Sequence, residues 1–175
     1  MRLKLVSGKG FMLIEVLVSL FLVALGVGAW LNSQAGALRQ TRLNQHRAMA
    51  TLLATDMADR LRASPGVATS MAFNQGFEVQ NQLSASNCTV GACDAPAWAA
   101  ADAAQWRLWV RQALPQGSSL VRVDASGRQA TVTVAWREPG AQALSHEAPA
   151  MFQCPTQLAL PVGEAVRCLS LGVAW

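Results

Sequence analysis

Lysine is missing from this chain after position 9, and histidine occurs only at His46 and His146. Lys4 and Lys9 lie in the first ten residues with Arg2, so much of the formal charge of +4 belongs to a short leader; beyond it, 11 arginines face 10 carboxylates. No basic stripe is left to follow a nucleic-acid backbone, which excludes nucleic acid as a partner. The C-x-x-C spacing of thiol redox proteins is absent, as is a glycine-rich phosphate loop, and no segment repeats. Two isolated histidines offer little to a zinc site. Ser-His-Asp combinations can be drawn through His146, but nothing in the sequence brings their members together. The Asp56/Asp59 pair stands among arginines and reads as a solvated helix surface. The expectation is a chain that is not an enzyme, with no catalytic residue, metal or cofactor.

Acids are just as scarce at the N-terminal end. Glu15 is the only carboxylate among the first 55 residues, and it sits inside an apolar run from Phe11 to Leu31. As a helix, those residues would span roughly 31 Å at about 1.5 Å per residue, the thickness of a bilayer core. A cleaved secretory signal would be shorter and would end promptly in small residues, which this run does not. Trp30 suits the far interface. Arginines 39, 42 and 47 follow the run, so charge alone nearly ties the two orientations. The cysteines break the tie. Four of them, Cys88 with Cys93 and Cys154 with Cys168 as local neighbours, leave none over and point to disulfides in an oxidising compartment. Connectivity is not fixed by sequence. A Cys154–Cys168 bond would close a loop worth roughly 3 kcal/mol in the chain-entropy view.

An acid within a membrane span costs about 2.5–3.5 kcal/mol near the centre and less near the edge. Glu15 lies four residues after Phe11, on the same helix face. Cutting the chain between Gly10 and Phe11 would create an α-amino cation at Phe11. That cation could pair with a carboxylate, within the chain or from a neighbouring copy, and the attraction is far stronger in lipid than in water.

Beyond Leu31 the pattern turns amphipathic. Leu43, Ala50, Leu53, Ala54, Met57 and Leu61 form one stripe, and the helix stops at "ASPG" before Pro65 and Gly66. One helix from about Phe11 to Arg62 would be roughly 78 Å long. Residues 64–95 read mostly as loop. "APAWAAADAAQWRLWVRQAL" reads as a second helix closed by Pro115 and Gly117, with Trp106 and Trp109 as core anchors. "SLVRV" and "ATVTVAWRE" alternate as a hairpin around "DASG", with Val121 and Val123 on one face, and Val132, Val134 and Trp136 on one face. Residues 139–150 read as loop, and "CLSLGVAW" as a further strand.

The segment "KG" followed by "FMLIEVLVSLFLV" closely resembles the prepilin signature of type IV pilins and type II secretion pseudopilins. The resemblance implies cleavage after Gly10 by a prepilin peptidase, N-methylation of Phe11, and docking of Glu15 against the N-terminal amine of an adjacent subunit. Met12 stands where the family often has Thr. Further along, "LLATDMADRLRASPG", "CTVGACDAPAWAAADAAQWRLWVRQALPQG" and "ATVTVAWRE" resemble the PilV group of minor pilins. The features carrying this are Asp56, Met57, Asp59, Arg60, Arg62, Cys88, Cys93, Asp102, Trp106, Leu114, Pro115, Gly117 and Trp136. This resemblance covers roughly residues 5–138; the tail with Cys154 and Cys168 lies outside it. It implies an α+β, pilin-like fold: a leader over 1–10, a transmembrane and filament-core segment over 11–31, an amphipathic continuation over 32–63 and a periplasmic head over 64–175. The implied function is that of a minor pilin that helps prime pilus assembly. Its partners would be the peptidase, other major and minor pilins, inner-membrane lipid and, at the tip, an adhesin. Its location would be the inner membrane of a Gram-negative bacterium, single-pass, and then the pilus. A minor pseudopilin is the near alternative, and an uncut membrane-anchored periplasmic binding protein the distant one.

Overall fold

The amphipathic stripe becomes the second part of helix α1, Leu13–Ala63. A computed structural model describes residues 13–75, 88, 93–138, 154–158 and 165–175. The chain divides into two units, up to Arg42 and from Leu43 onward. In the first unit α1 carries large apolar side chains outward on every side; from Leu13 to Leu31 none is less than 44 % exposed. Some of its polar side chains turn back on their own helix: the Ser19 hydroxyl donates to the Glu15 carbonyl (2.6 Å) and the Asn32 amide to the Gly28 carbonyl (3.1 Å). Such bonds satisfy a hydroxyl or amide without an external partner.

In the second unit Ala50, Leu53, Ala54, Met57, Ala58 and Leu61 of α1 are buried. The alanines allow close approach, while Met57 and Leu61 fill the space beside them. After Ala63 the chain tightens into a 3-10 helix, Pro65–Met71, and enters strand β1, Phe73–Gln75. The expected loop over 64–95 is therefore corrected at its start. "FNQ" has no alternation of its own and becomes a strand because it pairs with β2, Phe73 opposite Val121.

Helix α2, Ala95–Ala113, begins where Asp94 accepts the Ala97 N–H (2.9 Å) and Pro96 pre-sets the first turn. Strands β2 (Ser118–Val123), β3 (Gln129–Arg137) and β4 (Val166–Ala174) follow, and the sheet is antiparallel in the order β1-β2-β3-β4. Val121, Val132, Val134, Trp136 and Val173 meet α1 and α2 in one core, with Trp106 and Phe73 (ring centroids 6.1 Å apart). The opposite sheet face also carries a cover: Leu120, Ala135, Val166 and Cys168 pack with Leu158 of a short 3-10 helix, Thr156–Leu158. The strand expected over 168–175 begins two residues earlier. The loop expected at 139–150 lies outside the described residues.

Both disulfides are local: Cys88–Cys93 (Cα–Cα 5.7 Å) and Cys154–Cys168 (5.1 Å). The second ties the Leu158 cover to β4.

Candidate functional site

Gly10 and Phe11, the expected processing site, lie outside the described residues, as does His146. Glu15 sits in the first turn of α1, exposed, amid side chains of a helix long and apolar enough to cross a membrane. The most apolar window of that helix has a mean hydropathy of 2.3 and buries nothing against the rest of the chain. A helix of this length and composition fits a membrane anchor or a signal segment.

The head carries its chemistry as ion pairs. Arg60 of α1 donates from Nε to Asp56 Oδ2 (2.9 Å) and from Nη1 to Asp102 Oδ1 of α2, and its guanidinium lies 5.1 Å from the centre of the Trp109 ring. Burial opposes its charge, but hydrogen bonds and Coulombic attraction from Asp56 and Asp102 outweigh that and hold its pKa above the usual arginine value. Close by, the buried Trp106 indole donates to the Leu53 carbonyl of α1 (3.1 Å). Asp102 and Trp106 thus grip α1 from two successive turns of α2. That is a physical reason for an acid four residues ahead of a tryptophan. The expectation that both tryptophans are core anchors holds for Trp106 only. Trp109 is 42 % exposed, because three helical residues rotate it off the buried stripe to the rim, where Arg60 lies against it.

A second cluster was not legible in the sequence. Glu138, at the end of β3, is 2 % exposed and accepts from Arg167 Nε of β4 (2.6 Å); Arg47 of α1 brings Nη2 to 3.8 Å from its other oxygen. That longer approach is an ion pair without a hydrogen bond, so Oε1 finds no hydrogen-bonding partner among the described residues. The Glu138 N–H is bonded to the Ala165 carbonyl (2.9 Å). A carboxylate this buried must be matched by positive charge, and two arginines from distant chain segments supply it. The only available signal was a lone acid closing an apolar strand.

Arg107 of α2 lies 5.0 Å over the Phe73 ring, and burial lowers its pKa. Among the described residues no three histidine, cysteine, aspartate or glutamate side chains gather as a metal site. A long apolar N-terminal helix, a second helix and a small antiparallel sheet define the fold as α+β and pilin-like. Family models, curated proteins and solved structures provide no match to the chain.

Proposed function

We propose that this chain is a minor type IV pilin, a filament subunit that takes part in priming pilus assembly after cleavage at Gly10 and N-methylation of Phe11. One observation carries the reading: the most apolar window of α1 has no buried residue, and the apolar run from Leu13 to Leu31 bears a single carboxylate, Glu15, close to its start. The apolar sides would serve lipid before assembly and neighbouring stems afterwards. Glu15 would neutralise the new α-amine of an adjacent subunit. The two disulfides support an oxidising compartment for the head, hence the periplasm and then the pilus.

Sheared filaments test this. Glu15→Ala should leave cleavage largely intact and reduce recovery of the subunit in sheared pili; equal recovery of variant and wild type would contradict the docking role. Gly10→Leu should block processing. Deleting the gene should reduce surface piliation and spare protein secretion. The reverse outcome would assign the chain to a secretion pseudopilin instead.

A further inference from the structure

The two sulfurs of the Cys154–Cys168 bond sit in unequal surroundings. Cys168 lies within β4, opposite Ala135 of β3, and is fully buried. Its side chain shares the outer-face cluster with Leu120, Ala135, Leu158 and Val166, each 6 % exposed or less. Cys154 packs at the border of that cluster and is half-buried. Four residues further on, Leu158 closes a 3-10 turn, its N–H donating to the Pro155 carbonyl (3.1 Å), and is fully buried. The bond therefore anchors a cover, and the cover in turn helps to enclose the bond.

Thiol–disulfide exchange makes two demands: an attacking thiolate must reach one sulfur, and the other sulfur must leave as a thiolate. The closed head meets neither well. Attack on Cys168 has no approach to a fully buried strand position. Attack on Cys154 expels the Cys168 sulfur as an anion among apolar side chains, where charge is strongly disfavoured. Arg167, next to Cys168 in the chain, already has its guanidinium on Glu138 (2.6 Å).

We propose that the Cys154–Cys168 bond is closed to thiol–disulfide exchange in the folded head and opens to it only when the Leu158 cover lifts. The step itself is ordinary exchange. A thiolate of a dithiol reductant attacks Cys154 Sγ, and Cys168 leaves and takes up a proton. The reductant's second thiolate then closes its own disulfide and displaces Cys154, which is protonated in turn. The chain gains two electrons and two protons, and the reductant loses them. Formation of the bond by a disulfide oxidant retraces this path. It too passes through the lifted state, so the oxidation that makes the bond precedes the seating of the cover. The bond is a lock set once, before the outer sheet face closes. This inference rests on the head alone and stands apart from the pilin reading.

The test uses the full chain in detergent, dithiothreitol as the reductant, and mass-spectrometric counting of alkylated Cys154 and Cys168 over time. Reduction in native buffer runs about a hundredfold or more slower than in the same chain unfolded in urea, the protection that a closed local unit gives. Leu158→Ala leaves a cavity in the cover and speeds native reduction about tenfold or more. Val134→Ala weakens the inner core instead, so it lowers the Tm and changes the rate by about twofold or less. Urea below the unfolding transition raises the wild-type rate only weakly, because lifting a short segment exposes little surface. That arm requires no variant to fold. Native reduction as fast as in the unfolded chain would overturn the proposal. So would equal acceleration by the two variants, or a urea dependence as steep as that of global unfolding, since the gate would then be the whole head and not its cover.

Discussion

The two ends of helix α1 share a secondary structure and little else. Between Leu13 and Leu31 the large side chains surround the helix and none is buried; between Ala50 and Leu61 the buried positions are three alanines, two leucines and a methionine on one stripe. The first pattern leaves its apolar surface uncovered by the described residues. The second uses small residues to bring a sheet and a second helix within contact. Helical periodicity, more than total hydrophobicity, separates a stem from a core helix.

Substitutions on the two ends should therefore part company. Trp106→Ala removes a buried ring and its bond to the Leu53 carbonyl, and should destabilise the head by about 3–5 kcal/mol. Leu22→Ala in the stem should leave the head's thermal unfolding in detergent unchanged. Comparable Tm shifts would erase the distinction. Glu138→Ala leaves Arg167, 18 % exposed, without its carboxylate, and should cost about 3 kcal/mol, the low end for breaking a buried pair because Arg47 already reaches solvent. Urea unfolding of this variant measures it; a loss below that of an ordinary surface substitution would show the cluster to be ornamental. Gly117→Ala would place a Cβ 2.2 Å from the Val110 carbonyl oxygen, so the joint between α2 and β2 must shift, at about 1–3 kcal/mol. The same unfolding series checks it.

The smallest effect belongs to the hairpin turn. Asp124 accepts from the Ser126 hydroxyl and from the Gln129 and Arg128 N–H groups, and these bonds hold its pKa below 3.8. A depressed folded-state pKa means stability present above the unfolded value and lost as pH falls through the folded one. The head should thus lose stability slightly more steeply below about pH 3.8 than its Asp124→Asn variant does, and parallel acid titrations of Tm would show it.

Local pattern carried much of this fold into the sequence. The end of α1 follows from Pro65, the extent of α2 from helical spacing closed by Pro115 and Gly117, and the hairpin from alternation around Asp124–Gly127, where Gly127 adopts φ 66°. What escaped depends on contacts far apart in the chain. Strand β1 is three residues that become a strand only against β2. Arg47, Glu138 and Arg167 are ordinary charges until the fold brings them to one point. The tail's cover over the second sheet face needed the Cys154–Cys168 pairing, which the sequence left open. Glu15 was legible because a single acid in an apolar run is conspicuous. Its counter-charge was inferred from a resemblance, and Phe11 lies outside the described residues.

The pilin account is tested most directly by the intact mass of the chain recovered from cells with an active processing peptidase. The account predicts a polypeptide that begins at Phe11 and carries one added methyl group on its amine. A chain that keeps its first ten residues would leave Glu15 without its partner and contradict the account.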